Sequence, residues 1–333
     1  LKLDANEGAE SSLEVMLATL RGAGAELLRR YPDAGALEAA LARRYDVDPS
    51  QVFVTAGADE AIDRCCRAYL DAGTSILVTD PTFEMFERYA SLAGGVMDRV
   101  PWPPGPFPID GMLARSGSKV GVIAVVTPNN PTGEVATLDD LRALAEAAPG
   151  ALVVLDHAYA EYADEDLTAA ALWMPNVVIV RTFSKAWGLA GCRVGYVMGP
   201  AGIIASLRAA GGPYAVAAPS IAFAAAQLEQ GTAARDAHVA RVREERDRLF
   251  AFLQESDARP RRSQANFVYA ELGARAAAVH AALRREGVLV RLFADRRGSA
   301  GGLRITLPGH PDAFAELIAA LGRALAPGAE ATP

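Results

Sequence analysis

Lys185 stands in the run Arg181-Thr182-Phe183-Ser184-Lys185-Ala186-Trp187-Gly188-Leu189-Ala190-Gly191-Cys192-Arg193. The apolar stretch Val177 to Val180 leads straight into it, so the lysine is expected on a loop at the end of a strand. Only three lysines occur in the chain, Lys2, Lys119 and Lys185; the other basic side chains, histidines aside, are arginines. A lysine, unlike an arginine, can lose its proton and attack a carbonyl to form a Schiff base. Ser184 beside it and Arg193 further on could hold a phosphate. Taken alone, Ser-Lys-Ala reads as an ordinary surface loop; the motifs elsewhere weigh against that.

Thr127-Pro128-Asn129-Asn130-Pro131-Thr132-Gly133 is the most specific of them. Its prolines restrict the loop, and Pro131 biases Asn130 toward an extended backbone. An amide fixed in this way can donate to a phenolate oxygen. Leu152-Val153-Val154-Leu155-Asp156 ends a buried strand on an acid, followed by His157, Ala158 and Tyr159. A buried carboxylate needs a partner, and a protonated pyridine nitrogen would serve. Tyr159 could reach an oxygen on the same ring; His157 is expected to be structural. Gly57-Ala58-Asp59-Glu60 opens a helix just after the strand Val52–Thr55, where the amides of Ala58 and Asp59 could bind a phosphate. Plain helix capping by Asp59 is the alternative there. Phe83, in Asp80-Pro81-Thr82-Phe83, could lie on a heteroaromatic ring or simply fill the core. Arg304 lies in the alternating strand Leu303-Arg304-Ile305-Thr306 with no acid between Ser299 and Pro308. Its planar fork suits a carboxylate or phosphate, and a salt bridge to a distant acid is the other possibility.

These residues need a scaffold that brings loop ends together. Short apolar runs alternate with Ala/Leu-rich helical stretches: strands at Val52–Thr55, Ile76–Thr79, Val122–Thr127, Leu152–Asp156, Val177–Thr182 and Val194–Met198, with helices such as Ala58–Leu70 and Leu138–Ala148. That pattern predicts an α/β fold, a mostly parallel sheet covered by helices on both faces. In such sheets ligands bind beyond the carboxyl ends of the strands, where the residues above fall. A long helical region from Pro219 to Leu253 follows, broken by Pro260; Arg259, Arg261 and Arg262 around it read as an exposed turn. The remainder predicts a compact second unit: strand Phe267–Ala270, helix Ala274–Glu286, strands Val288–Leu292 and Leu303–Thr306, and helix Pro311–Leu325.

With 333 residues, 51% of them hydrophobic, the chain can bury a large core or two. A net charge of −7 argues against nucleic acid as a partner. No apolar run is long enough to span a membrane, and the first residues do not read as a signal peptide, so a cytoplasmic setting is expected. The adjacent Cys65 and Cys66 suit neither a disulfide nor a zinc pair, and the four histidines show no metal spacing. Gly22-Ala23-Gly24 follows no strand, which disfavours a dinucleotide site.

The pattern resembles the fold-type I pyridoxal-phosphate aminotransferases, and within them the histidinol-phosphate aminotransferase family most of all. The likeness is carried by Leu3-Asp4-Ala5-Asn6-Glu7, Arg30-Tyr31-Pro32-Asp33, Gly57 to Glu60, Asn129 to Gly133, Arg181 to Arg193, Asn266-Phe267-Val268, Gly287 to Arg291 and Gly302 to Thr306. It implies a large cofactor-binding domain over 31–235, a smaller α+β domain over 236–333, and an arm over 1–30 joining the small domain. It implies that Lys185 binds pyridoxal 5'-phosphate and later moves a proton at the substrate's Cα. Asp156 would pair with the pyridine nitrogen, and Asn130 and Tyr159 would contact the ring oxygen. Phe83 would stack on the ring, and Ala58, Asp59, Ser184 and Arg193 would hold the phosphate. Tyr31 would reach the phosphate of a partner subunit, making a homodimer necessary. Arg304, with Arg291 and Asn6, would bind the substrate. The implied reaction moves an amino group from an anionic donor to a 2-oxo acid such as 2-oxoglutarate. Aromatic or other amino-acid aminotransferases and phosphoamino-acid decarboxylases share the scaffold. The family usually has Asp-Glu-Ala-Tyr where this chain has Asp156-His157-Ala158-Tyr159, and its substrate-contacting tyrosine lies upstream of the Asp4 motif.

Overall fold

Twelve strands form two sheets in a computed structural model that describes residues 1–10 and 12–326. They are β1 (Lys2–Leu3), β2 (Val52–Thr55), β3 (Ser75–Asp80), β4 (Val96–Pro101), β5 (Val120–Val126), β6 (Leu152–Asp156), β7 (Val177–Thr182), β8 (Gly195–Met198), β9 (Arg259–Pro260), β10 (Phe267–Glu271), β11 (Leu289–Phe293) and β12 (Gly302–Thr306). The larger sheet runs β2-β8-β7-β6-β5-β3-β4 and is parallel except for β8, which is antiparallel to both neighbours. Its central strands are almost wholly buried, as their unbroken Val/Ile/Leu runs require of strands covered on both faces. Val122, Ala124 and Val126 of β5 pack with Ile62, Cys65 and Cys66 of the helix Gly57–Tyr69. Ile123 and Val125, pointing the other way, join Leu141 and Leu144 of the helix Leu138–Ala147. The edge strand β4 was not foreseen: its Val-Met-Asp-Arg-Val-Pro sequence carries charge, and only its pairing with β3 makes it a strand.

β5, β6 and β7 end at one edge, in the register Val126 with Asp156 and Asp156 with Val180. The loops carrying Asn130, Tyr159 and Lys185 therefore start side by side. The smaller sheet, β1-β11-β12-β10-β9, is antiparallel except for β1, which runs parallel to β11. The helices Thr232–Glu255, Ala276–Arg285 and Pro311–Leu325 supply its core through residues such as Leu249, Leu283 and Phe314.

Two expectations are corrected. The region from Pro219 to Leu253 is not one helix: Ala218–Gln230 and Thr232–Glu255 are separated by Gly231. Glycine is a poor interior helix residue, and a Cβ there would come within 2.6 Å of the Gln227 side chain. Arg261 is not on an exposed turn. It is buried, with ion pairs to Glu134 at 3.1 Å and Glu271 at 2.7 Å, because Arg259–Pro260 forms β9 beside β10. Among the described residues no helix is long and apolar enough to cross a membrane, and no His/Cys/Asp/Glu group could hold a metal ion. Cys65 and Cys66 are buried free thiols.

Candidate active site

A cavity of about 330 Å³ opens at the carboxyl ends of β5, β6 and β7, between the two sheets. Lys185 enters it from the loop after β7. The Lys185 Nζ donates to the Ala5 carbonyl at 3.3 Å and lies 5.6 Å from the centroid of the Tyr159 ring. Asp156 sits at the end of β6, 3% exposed, and accepts from the Ala158 amide at 3.2 Å. Burial pushes its carboxyl up to about 7, the nearby Asp59 charge adds to the rise, and Lys185 opposes it. His157, on the opposite side of the strand, accepts from the Leu167 amide at Nε2, so its Nδ1 donates to the Thr127 carbonyl. The ring thus bridges the end of β5 and the loop that carries Leu167.

The helix Gly57–Tyr69 begins without a side-chain cap, and Ala58 and Asp59 of its first turn line the cavity. The Asp59 carboxylate does not cap that helix; it accepts from Arg193 Nη2 at 2.9 Å. Arg193 Nη1 donates to Ser184 Oγ at 3.2 Å. Gly57, at φ +76, leaves room for this guanidinium, since a Cβ there would lie 2.7 Å from Arg193 Nη2. Amides, a hydroxyl and a guanidinium thus converge at one end of the cavity.

At the other end Arg304 Nη1 donates to Asn130 Oδ1 at 2.6 Å and Nη2 to the Asp4 carbonyl at 2.8 Å. Asn130 Nδ2 is left to donate elsewhere. The distant salt bridge considered for Arg304 is not formed: both contacts are to neutral oxygens, and the buried Nε has no hydrogen-bond partner. Arg291 lines the same cavity from the neighbouring strand, and Phe83 is half-buried in its wall. Asn6, in the left-handed region at φ +53, donates from Nδ2 to the Tyr159 hydroxyl at 3.0 Å and accepts from Thr306 Oγ1 at 2.9 Å. A sheet residue thus fixes the N-terminal segment over Tyr159.

Of the candidate site residues named in the sequence, Tyr31 lies outside this cavity and the others line it. Tyr31 is 81% exposed and stacks on Tyr214 with ring centroids 4.7 Å apart. Glu84, Phe293 and Arg296 line the cavity and were missed. Glu84 follows Phe83 directly, and Arg296 falls between the strands that carry Arg291 and Arg304; those placements were the available signals.

The family model for aminotransferase class I and II matches residues 1–321. The chain belongs to this family. An aromatic amino acid aminotransferase of Corynebacterium jeikeium is 36% identical, over 98% of this chain and 88% of that protein. A histidinol-phosphate aminotransferase of Paracoccus denitrificans is 34% identical, over 92% of this chain and 84% of that protein. The crystal structure of histidinol-phosphate aminotransferase from Sinorhizobium meliloti in complex with pyridoxal-5'-phosphate superposes with a TM-score of 0.87 at 27% identity, covering 97% of this chain and 90% of that one. The protein is a pyridoxal-phosphate-dependent aminotransferase with the fold-type I architecture. Its cavity fits the cofactor on chemical grounds. It offers an amine for an aldehyde, a buried carboxyl that ionises at a cost unless a cation faces it, and a cluster of donors sized for a phosphate.

Proposed function

We propose that this aminotransferase takes the amino group of an anionic donor of the histidinol-phosphate type and passes it to a 2-oxo acid, 2-oxoglutarate in particular. The observation that carries the reading is Arg304: a buried guanidinium in the same cavity as Lys185, held by neutral oxygens, with one nitrogen left over. The substrate's anion, the phosphate of histidinol phosphate or the carboxylate of a 2-oxo acid, would pair with its charge. Arg291, which makes no ion pair among the described residues, is then available for a second anion. Asn6 borders the same space. The rings of Phe83 and Phe293 in the wall favour, as a second reading, an aromatic amino acid as donor.

Pyridoxal phosphate, when bound, supplies the electron sink that weakens the bonds at the substrate's Cα. On this reading Lys185 would hold the cofactor and, once released, its Nζ would take the proton from the donor's Cα. Asp156 stays ionised by pairing with the ring nitrogen. Asn130 Nδ2 and the Tyr159 hydroxyl, itself oriented by Asn6, donate to the ring oxygen. Ala58, Asp59, Ser184 and Arg193 hold the phosphate, and Phe83 covers the ring. Tyr31, exposed on its own chain, completes the phosphate site of a second copy in a homodimer.

Lys185→Ala tests the central assignment. Turnover should vanish, and borohydride should fix the cofactor of the parent enzyme to the Lys185 peptide; label on Lys119 or Lys2 would refute it. Rapid spectra of the parent with histidinol phosphate and with phenylalanine decide between the donors, the faster conversion of the cofactor naming the class.

A further inference from the structure

Glu161 lies two residues after Tyr159, in the turn Ala160–Tyr162, and Trp187 lies two residues after Lys185. One oxygen joins the two segments. Glu161 Oε1 accepts from Trp187 Nε1 at 3.1 Å and from Arg181 Nη2 at 2.8 Å. Arg181 belongs to β7, the strand that delivers Lys185, and is 3% exposed. Trp187 is fixed in turn. Its ring centroid lies 5.7 Å from that of Phe183 and 4.4 Å from the Arg235 guanidinium, and its carbonyl accepts from Gln227 Nε2 at 3.3 Å. None of Glu161, Arg181 and Trp187 lines the cavity.

Neutralising Arg181 does not require Glu161. Arg181 Nη1 already meets Asp166 Oδ2 at 3.0 Å and Thr168 Oγ1 at 2.6 Å. A second, buried carboxylate on the same guanidinium carries its own desolvation cost. What Glu161 adds is an acceptor for the indole N–H, a buried donor that needs one. That bond ties the segment leaving β6 to the segment leaving β7. Tyr159 stands on the first and Lys185 on the second, with the Lys185 Nζ 5.6 Å from the centroid of the Tyr159 ring. Two groups that act on one bound molecule keep their spacing only when the backbone beneath each is held, and a misplacement of about 1 Å is enough to matter.

We propose that Glu161 is a positioning residue: by receiving Trp187 and Arg181 on one oxygen it sets where the Tyr159 hydroxyl stands relative to the Lys185 Nζ. Glu161 touches neither substrate nor cofactor and acts through Tyr159. The proposal rests on the reading above, that Lys185 holds the cofactor and Tyr159 donates to its ring oxygen. A donor there draws charge from that oxygen, so the nitrogen the cofactor shares with Lys185 gives up its proton at lower pH. Displacing Tyr159 weakens the donor and raises that pH.

The experiment titrates the absorbance of bound pyridoxal phosphate against pH, with borohydride labelling of the parent to locate the attachment. It compares the parent holoenzyme with Glu161→Ala, Glu161→Gln, Trp187→Phe, Tyr159→Phe and Glu161→Ala combined with Tyr159→Phe. Tyr159→Phe should raise the midpoint by about one pH unit or more, and Glu161→Ala by about half a pH unit. Trp187→Phe should move it the same way, and Glu161→Gln, which keeps an acceptor oxygen, should stay near the parent. The combined variant should match Tyr159→Phe alone, since Glu161 then has nothing to position. Asp59, Asp156 and Arg304 face the same space and are unchanged throughout. If Glu161→Ala does not fold, Trp187→Phe with and without Tyr159→Phe carries the same test. A parental midpoint in Glu161→Ala or Trp187→Phe overturns the proposal. So do shifts that add in the combined variant, or a Glu161→Gln midpoint displaced as far as that of Glu161→Ala. With the label on Lys185 and a shifted Tyr159→Phe, those results remove the proposal alone. A label elsewhere, or an unshifted Tyr159→Phe, removes the underlying reading and the proposal with it.

Discussion

Arg291 and Arg304 stand directly opposite each other across the antiparallel pair β11 and β12. Like charges in that register cost stability, and burial adds to the cost at Arg304, where it lowers the guanidinium's affinity for its proton. Neither is neutralised by an ion pair among the described residues. An anion between them relieves both. Arg304→Lys should therefore raise KM for every anionic donor, by about tenfold or more, since a lysine cannot hold Asn130, Asp4 and a carboxylate at once. Arg291→Ala should separate the donors in steady-state kinetics. A loss confined to histidinol phosphate supports that substrate, and equal losses across amino acids support a general aminotransferase.

Asp156 gives a stability prediction with a definite sign. Its carboxyl is raised to about 7 in the folded chain, against an unfolded value of about 3.9. Below the unfolded value both states are protonated and no penalty exists. As pH rises from about 4 to about 7 the unfolded chain releases the proton and the folded chain keeps it, so folding loses stability, then levels off. The penalty is on the order of 2–4 kcal/mol. Asp156→Asn should melt higher than the parent in cofactor-free protein at pH 8, with the difference gone at pH 4. The same variant with cofactor should lose turnover by about a hundredfold or more. Equal melting curves at pH 8, or near-parental turnover, would contradict this account.

Gly8 is tested by the smallest possible change. A Cβ at this position would lie 1.6 Å from the Lys185 carbonyl oxygen, so one backbone segment must move. Gly8→Ala should destabilise the protein by about 1–3 kcal/mol and displace Lys185. Thermal melts report the first effect and the absorbance of bound cofactor the second; an unshifted spectrum would show that the displacement is taken up elsewhere.

Tyr31 offers a hydroxyl well outside its own chain's cavity, on a ring stacked against Tyr214. If a second copy receives it, Tyr31→Phe should weaken cofactor retention by about tenfold while leaving the ring stack and the sedimentation of the dimer unchanged. A parent protein that is fully active as a monomer would end this assignment.

Much of this was legible because local chemistry and local structure coincide. The central strands declare themselves by unbroken apolar runs, and their ends carry Asp156, the Asn130 loop and Lys185 within a few residues. The gaps have one cause, partnership over long distances. β4 has a polar sequence and exists through its pairing with β3. Arg261 looked exposed because its acids, Glu134 and Glu271, lie outside its own segment. Arg296 and Glu84 are 212 positions apart and carry no motif, so only the packing of the two sheets reveals them as neighbours.

The contact between Asn6 and Thr306 sets a timetable. The two residues are 300 positions apart, yet the first is held over Tyr159 by the second. A ribosome adding about 5–20 residues per second emits Asn6 roughly 15–60 seconds before its partner exists. Through that interval the opening segment can meet Tyr159 and Lys185 but not the strand that holds Asn6, and β1 must wait likewise for β11. The larger sheet can assemble while translation continues, but the finished pocket cannot. Arg304 and Thr306 reach Asn130 and Asn6 only once β12 has been made, so the arginine end of the cavity is the part completed late.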